Sequence, residues 1–264
     1  MANQLPVVLT IGGYDPSGGA GITADIETIT SLRCHPISLI TCLTSQNTEK
    51  FDLIEPVNID VFISQADLLL SDFKIDIIKI GALGSDKIVE ETKRILNKLK
   101  DTKIVIDPVI EATTGGSLAD KPTLQALKEL IFPMAYLLTP NLAEAKVLSG
   151  KNDLNLIVQE LSLLSSNYLL IKDIDSSYEE IVSHLYLNKE LKKSWSTAKI
   201  PGSFHGTGCY LASSITCFLA HSKSLEEAIE LGQKNTLKAI YGSIKLGKGQ
   251  NCLLYTSPSP RDRG

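Results

Sequence analysis

The sequence predicts a three-layer α/β/α fold with a mostly parallel central sheet and an antiparallel hairpin at one edge. Two observations carry that expectation. Up to residue 172, short β-branched runs alternate with longer amphipathic ones, a rhythm that builds strand–helix–strand units with helices on both faces of a parallel sheet. Near residue 180 it gives way to two strand-like runs separated by only two turn residues, a spacing that permits antiparallel pairing alone. The 264 residues, 43% hydrophobic and 21% charged, suffice for one large domain with a full core.

Taken in order, VVLTI (7–11) reads as a strand, 19–32 as a helix opened by glycines, and ISLITCLTS (37–45) as a buried strand. A helix over 59–71 leads to the strand IDIIKI (75–80), and a helix over 86–99 leads to KIVID (103–107). Residues 124–130 are helical, YLLT (136–139) is a strand, and 141–148 is a helix; YLLIK (168–172) closes the parallel set. EIVSHLYL (180–187) and ELKKSWS (190–196), flanking Asn188 and Lys189, form the hairpin, and helices over 206–220 and 225–241 follow. Ligands of such sheets sit at the carboxyl ends of the strands. The polar and glycine-rich segments of this chain fall there.

The stretch CLLYTSPSPRD (252–262) has no periodicity and carries two prolines; it reads like a translated sequencing adaptor. The expectation is a single domain over residues 1–251 and a non-native tail over 252–264 on a truncated gene.

Composition excludes several function classes. A net charge of −4 with scattered lysines gives no footprint for nucleic acid. The start MANQLPVVLTIGG lacks a basic n-region, and no apolar run reaches membrane-span length, so a cytoplasmic protein with no membrane partner is expected. Five cysteines (Cys34, Cys42, Cys209, Cys217, Cys252) and four histidines (His35, His184, His205, His221) are dispersed, with neither zinc-site pairs nor disulfide density.

Three segments carry chemistry. In GGYDPSGGAGITADIE (12–27), Gly18, Gly19 and Gly21 let backbone approach a ligand before a helix begins. The run 19–24 also matches the dinucleotide pattern GxGxxA, but seven residues separate it from the first strand, and the second strand ends in Thr44-Ser45-Gln46-Asn47 rather than an acid, so a nicotinamide cofactor is rejected. In HGTGC (205–209), Gly206, Thr207 and Gly208 precede helix residues, so their N–H groups can converge on an anion. Cys209, on the first helical turn, is expected to have a lowered pKa and to take a proton from an attacking hydroxyl; its alternative is a small buried residue. Cys217, eight residues on, reads as core.

The third segment is a pair of carboxylates. Asp107 ends a strand, and Glu144 follows Asn141 by three residues, which is also capping-box spacing. Each alone reads as a turn or cap residue. Together they lie at one edge of a parallel sheet, where two carboxylates can hold Mg²⁺ directly or through water.

GGYDPSGGAGITAD, TSQNT (44–48), KIGAL (79–83), DPV (107–109), TPNLAEA (139–145) and HGTGC, in that order, resemble the hydroxymethylpyrimidine/phosphomethylpyrimidine kinases of thiamine biosynthesis, within the ribokinase-like superfamily. The resemblance spans residues 7 to about 250. It implies ATP-dependent phosphorylation of 4-amino-5-hydroxymethyl-2-methylpyrimidine and then of its monophosphate, with ATP and Mg²⁺ as cofactors and a homodimer as the assembly. It also implies that Asp25 and Gln46 hold the pyrimidine with Gly13 close by, and that Gly206, Thr207 and Gly208 form an anion hole beside the base Cys209. Asp107 and Glu144 then organise Mg²⁺, Asn141 faces the nucleotide phosphates, Lys172 reaches the transferring phosphoryl group, and Lys248 lies in a basic loop near the nucleotide.

The chain departs from the family pattern at Lys172-Asp173-Ile174, where KGG is usual, and at Ala82, where methionine is common. Glu27 replaces a frequent lysine, and Glu111-Ala112-Thr113-Thr114 replaces the usual loop. Two alternatives stay open: a pyridoxal or pyridoxine kinase of the related branch, and a catalytically silent pyrimidine-binding relative. Gln46 favours the pyrimidine, because an amide pairs with an aminopyrimidine edge as both donor and acceptor.

Overall fold

The structure is a computed structural model that describes residues 5–165, 167–173 and 179–254. In chain order its elements are β1 (Val7–Tyr14), α1 (Gly21–Ser31), β2 (His35–Gln46), β3 (Phe51–Pro56), α2 (Ile59–Asp72), β4 (Ile77–Ile80), α3 (Asp86–Asn97), β5 (Lys103–Ile106), α4 (Lys121–Ala126) and β6 (Leu137–Leu138). There follow α5 (Leu142–Ser149), α6 (Leu154–Leu164), β7 (Tyr168–Ile171), β8 (Glu180–Leu187), β9 (Glu190–Ala198), β10 (Phe204–His205), α7 (Thr207–Ala220), α8 (Leu225–Tyr241) and β11 (Asn251–Cys252).

The main sheet runs β3-β2-β1-β4-β5-β6-β7-β8-β9. Pairing is parallel from β2 to β7 and antiparallel at both ends, where β3 folds back on β2 and β8 and β9 make the expected hairpin. Successive strand residues supply opposite faces, because side chains alternate along an extended chain. Leu9, Ile78, Ile106, Leu138 and Leu169 join one core with α2, α3, α5 and α6. Their neighbours Val8, Ile77, Val105, Leu137 and Leu170 join a second core with Ile29 of α1, Leu211 and Ile215 of α7 and Ile229 of α8. These two buried layers are the three-layer architecture that the strand–helix rhythm predicts.

Several details go beyond the sequence reading. β3 and α6 were not expected: FDLIEP is short and one-third acidic, and 154–164 sits between two stronger signals. The helix expected over 124–130 is α4 followed by a π-turn (Leu127–Ile131) and a 3-10 turn (Phe132–Met134), whose Pro133 lacks the N–H needed to continue. Asn251 and Cys252 pair in parallel with Phe204 and His205, and Leu253 is buried against Tyr210 and Ala239. Packing therefore continues past the expected boundary at residue 251; residues 255–264 of the expected tail lie outside the described residues, as does Ile174. Among the described residues no helix is long and apolar enough to cross a membrane.

Candidate active site

The carboxyl ends of β1, β4, β5, β6 and β7 open on one rim of the sheet, and the N-termini of α1 and α7 meet there. Helices α2, α3, α4, α5, α6 and α8 each begin with a side-chain cap, from Asn58, Ser85, Asp120, Asn141, Asp153 and Ser224. Helices α1 and α7 have none. The first N–H groups of a helix need partners, and these two helices begin, without side-chain caps, at the wall of a cavity of about 200 Å³ lined by Gly13, Gln46, Glu144, Gly206, Thr207, Gly208 and Cys209, among others.

Glycine is required where the two loops of this cavity meet. Gly206 has φ 75°, and a Cβ there would stand 1.9 Å from the Gly19 carbonyl oxygen. Gly13 sits at a register shift in β1, where a Cβ would stand 2.8 Å from Cys42 Sγ. Gln46 lies at a separate register shift, in the pairing of β2 with β3, and such shifts re-aim a side chain. Its amide Oε1 is buried with no hydrogen-bond partner. A buried amide oxygen left bare costs roughly 1–3 kcal/mol, so a ligand donor at this point supplies what the protein withholds.

Cys209 is on the first turn of α7 and 8% exposed. Contrary to the lowered pKa expected from its position, burial pushes the thiol up to about 12; the Lys79 ammonium and the Gly21 N–H, which donates to the sulfur, work against that rise, while Asp107 and Asp25 add to it. Desolvation outweighs the helix end. Asp25 also differs from expectation. It is fully buried, with Oδ2 accepting from Thr10 Oγ1 (2.6 Å) and Lys79 Nζ (2.8 Å) and Oδ1 accepting from Ser213 Oγ (2.7 Å). The carboxylate is thus the counter-ion of a buried lysine, with most of its acceptor capacity taken, and both residues belong to the lining of the cavity. Burial pushes the Lys79 ammonium down, but Asp25 outweighs this and holds its pKa above the usual lysine value.

Asp107, Glu144 and Lys172 converge. Lys172 Nζ lies 3.2 Å from Asp107 Oδ1, which also accepts from Thr139 Oγ1 at 3.3 Å. A Cβ on Gly208 would stand 3.5 Å from Asp107 Oδ2 and 3.8 Å from Lys172 Nζ, so the anion hole adjoins this pair. Asn141 and Glu144 do form the capping box, each side chain accepting from the other's backbone N–H at 2.8 Å. Glu144 nevertheless lines the cavity. Burial raises its carboxyl to about 7, Lys172 opposes the rise, and the Asp107 and Asp173 charges add to it. Two carboxylates that repel in a buried site have the chemistry a divalent cation neutralises. The residues present fit Mg²⁺.

A second cavity, of about 360 Å³, adjoins the first through Asn141, Lys172, Thr207 and Gly208 and runs between the β8–β9 hairpin and the α7–α8 pair. Lys248 lines neither cavity. Its loop is tied to the turn after β2, where Gly249 N donates to Thr48 Oγ1 (3.1 Å) and Gln250 N to Thr48 O (2.9 Å), and this leaves the lysine exposed away from the second cavity's lining.

Sequence reasoning assigned no role to Asp15, His205 or Lys79, although each stands in a motif it quoted. His205 Nε2 donates to Asp15 Oδ2 at 2.8 Å, and both side chains are 2% exposed. The signal was there in part: Asp15-Pro16-Ser17-Gly18 is turn chemistry that ties an aspartate to its own loop.

A sequence model of the phosphomethylpyrimidine kinase family matches residues 15–253. A thiamine biosynthesis bifunctional protein of Geobacter sulfurreducens is 34% identical over 97% of this chain and 54% of its own length. The hydroxymethylpyrimidine/phosphomethylpyrimidine kinase of Aquifex aeolicus is 32% identical over 92% of this chain and 97% of its own. The chain thus spans about half the length of the longer relatives and nearly all of the shorter one. Among solved structures, the pyridoxal kinase from Staphylococcus aureus in complex with AMP-PCP and pyridoxal superposes with a TM-score of 0.84 at 26% identity, over 95% of this chain and 93% of that one.

Proposed function

The chain belongs to the phosphomethylpyrimidine kinase family, and from that premise we propose that it transfers the γ-phosphoryl group of ATP to the hydroxymethyl group of 4-amino-5-hydroxymethyl-2-methylpyrimidine, and then phosphorylates the monophosphate, for thiamine biosynthesis. The observation that carries the substrate assignment is the bare, buried Oε1 of Gln46 in the cavity that also holds Cys209. An aminopyrimidine donor satisfies it.

In this reading the pyrimidine occupies the smaller cavity, with Gly13 giving it backbone clearance. ATP occupies the larger one, its phosphates pointing at the junction where Asn141, Lys172, Thr207 and Gly208 line both. The uncapped N–H groups of Thr207, Gly208 and Cys209 hold the charge that develops on the transferring group, and Lys172 neutralises it from the other side. Asp107 and Glu144 hold Mg²⁺, which neutralises phosphate charge when bound. Cys209 accepts the hydroxyl proton. It does so as the thiolate, which burial disfavours while the Lys79 ammonium and the Gly21 N–H favour it; the demand on the base is modest, because phosphoryl transfer relies mainly on positioning and charge neutralisation.

A second reading, pyridoxal kinase, is favoured by the structural likeness to a pyridoxal-bound kinase. Cytoplasmic location is the expectation from composition, and a homodimer rests on family resemblance. The test is ADP release from Mg-ATP with the hydroxymethylpyrimidine, its monophosphate and pyridoxal, with Cys209→Ala alongside. Turnover of the first two that collapses in the variant supports the proposal; preference for pyridoxal replaces it with the second reading. A folded protein that binds the pyrimidine without turnover is the silent relative.

A further inference from the structure

The Asp15–His205 contact joins the two loops that make the active-site floor. Asp15 belongs to the glycine loop after β1, and its carboxylate gathers that loop around itself: Oδ1 accepts from Ser17 N (2.9 Å) and Ser17 Oγ (2.8 Å), and Oδ2 accepts from Ala20 N at 2.9 Å. The remaining bond, from His205 Nε2, comes from the residue just before the anion hole. The imidazole also packs closely on the same loop, since a Cβ on Gly19 would collide with His205 Cδ2. The His205 backbone, for its part, is fixed in β10 by pairing with Cys252.

The consequence reaches the reacting groups. The glycine loop ends in Gly21, whose N–H donates to Cys209 Sγ. Four residues along the other loop, Cys209 follows His205 through the left-handed Gly206. Both loops line the substrate cavity, so the distance between the Gly21 N–H, the sulfur and the anion hole is set by how the loops are fastened together. The His205–Asp15 bond fastens the two loops through side chains, beside the Gly21 N–H to Cys209 contact. Burial pushes the Asp15 carboxyl up, yet the hydrogen bonds from His205 and Ser17 outweigh it and hold it below the usual range, as a carboxylate poised to accept.

We infer that His205, clasped by Asp15, is a positioning residue for phosphoryl transfer, holding the anion hole and Cys209 in register with the glycine loop. This rests on the kinase reading above. A displaced catalytic group loses rate more than it loses substrate affinity.

The test uses the full chain and three variants. His205→Ala removes the donor, His205→Gln keeps a side-chain N–H within reach of Asp15, and Asp15→Asn keeps the shape while removing the charge. Steady-state kinetics are read with amide hydrogen exchange. The expected result for His205→Ala is a kcat lower by about tenfold or more with both KM values within about twofold. Exchange then rises about tenfold or more in residues 15–21 and 206–210 while the central strands keep their protection. His205→Gln recovers part of both, and Asp15→Asn falls between.

The inference is overturned if kcat stays within about twofold of the parent in His205→Ala and Asp15→Asn, if His205→Gln is no better than His205→Ala, or if exchange rises throughout the sheet. Should His205→Ala not fold, the other two variants decide on the same criteria. If the parent chain turns over none of the substrates, the kinase reading fails by itself; the clasp is then judged on exchange, and unchanged exchange in the two loops sinks it.

Discussion

Lys79 Nζ lies 2.8 Å from Asp25 Oδ2, with the two side chains 1% and 0% exposed. Thr10 and Ser213 complete the carboxylate's shell, so a charge pair with its own hydroxyl donors is buried in the wall of the smaller cavity. Removing one partner of such a pair leaves the other charge buried and bare. Lys79→Met is expected to lower stability by about 3–5 kcal/mol, read from the urea midpoint at unchanged slope. A loss under about 1 kcal/mol would mean that water reaches the pair.

Cys209→Ala tests the base directly. Proton acceptance by a positioned group contributes about 10²- to 10⁴-fold, so kcat for ADP release is expected to fall in that range while substrate KM values change little. A variant that keeps more than about a third of the parent kcat removes the cysteine from the chemistry.

Glu144 predicts a pH dependence of stability. Its carboxyl titrates near 7 in the folded protein against 4.5 ordinarily. Between those values the folded chain binds more protons than the unfolded one, so stability falls as pH rises through about 4.5 to 7 and this contribution levels off above. Glu144→Gln keeps the acceptor for the Asn141 N–H and removes the titration. Thermal midpoints measured without divalent cations should lose that slope in the variant; an identical slope in both proteins assigns it elsewhere.

Asp173 adopts φ 60°, a left-handed conformation, and lines the larger cavity. Asparagine and aspartate visit this region more readily than other residues with side chains, which lets β7 end here without glycine. The negative charge stands beside Lys172 and Glu144. Asp173→Gly is expected to lower the KM for Mg-ATP severalfold with kcat within about tenfold. A rise in kcat by orders of magnitude would show that Asp173 holds the parent nearly silent.

The parallel sheet, its antiparallel hairpin and the glycine loops were legible because each rests on local signals: period-2 apolar runs, a two-residue turn, glycines before helices. Cys209, Gly206, Thr207, Gly208, Gln46, Asp107, Glu144 and Lys172 do line one connected pair of cavities. The Thr10–Asp25–Lys79–Ser213 network was not legible, because four residues from four elements meet only after the sheet and two helices have packed. The raised thiol pKa escaped for the same reason. Proximity to a helix end can be read from sequence, whereas the depth of burial that outweighs it cannot. Lys248 stands outside both cavities because its loop is fastened by Thr48, which a glycine-flanked lysine does not reveal in sequence.

Asp15 and His205 are 190 positions apart, and that separation has a bearing on synthesis. At the usual pace of elongation, roughly 5–20 residues per second, the glycine loop leaves the ribosome roughly 10–40 s before its partner. During that interval β1, β2 and β4 are all made, but α7 and α8, which cover Val8, Ile77 and Val105 in the finished protein, are not. A growing chain therefore owns the strands of the sheet well before it owns an active site, because the last two helices to emerge carry both the anion-hole loop and the cover for that face.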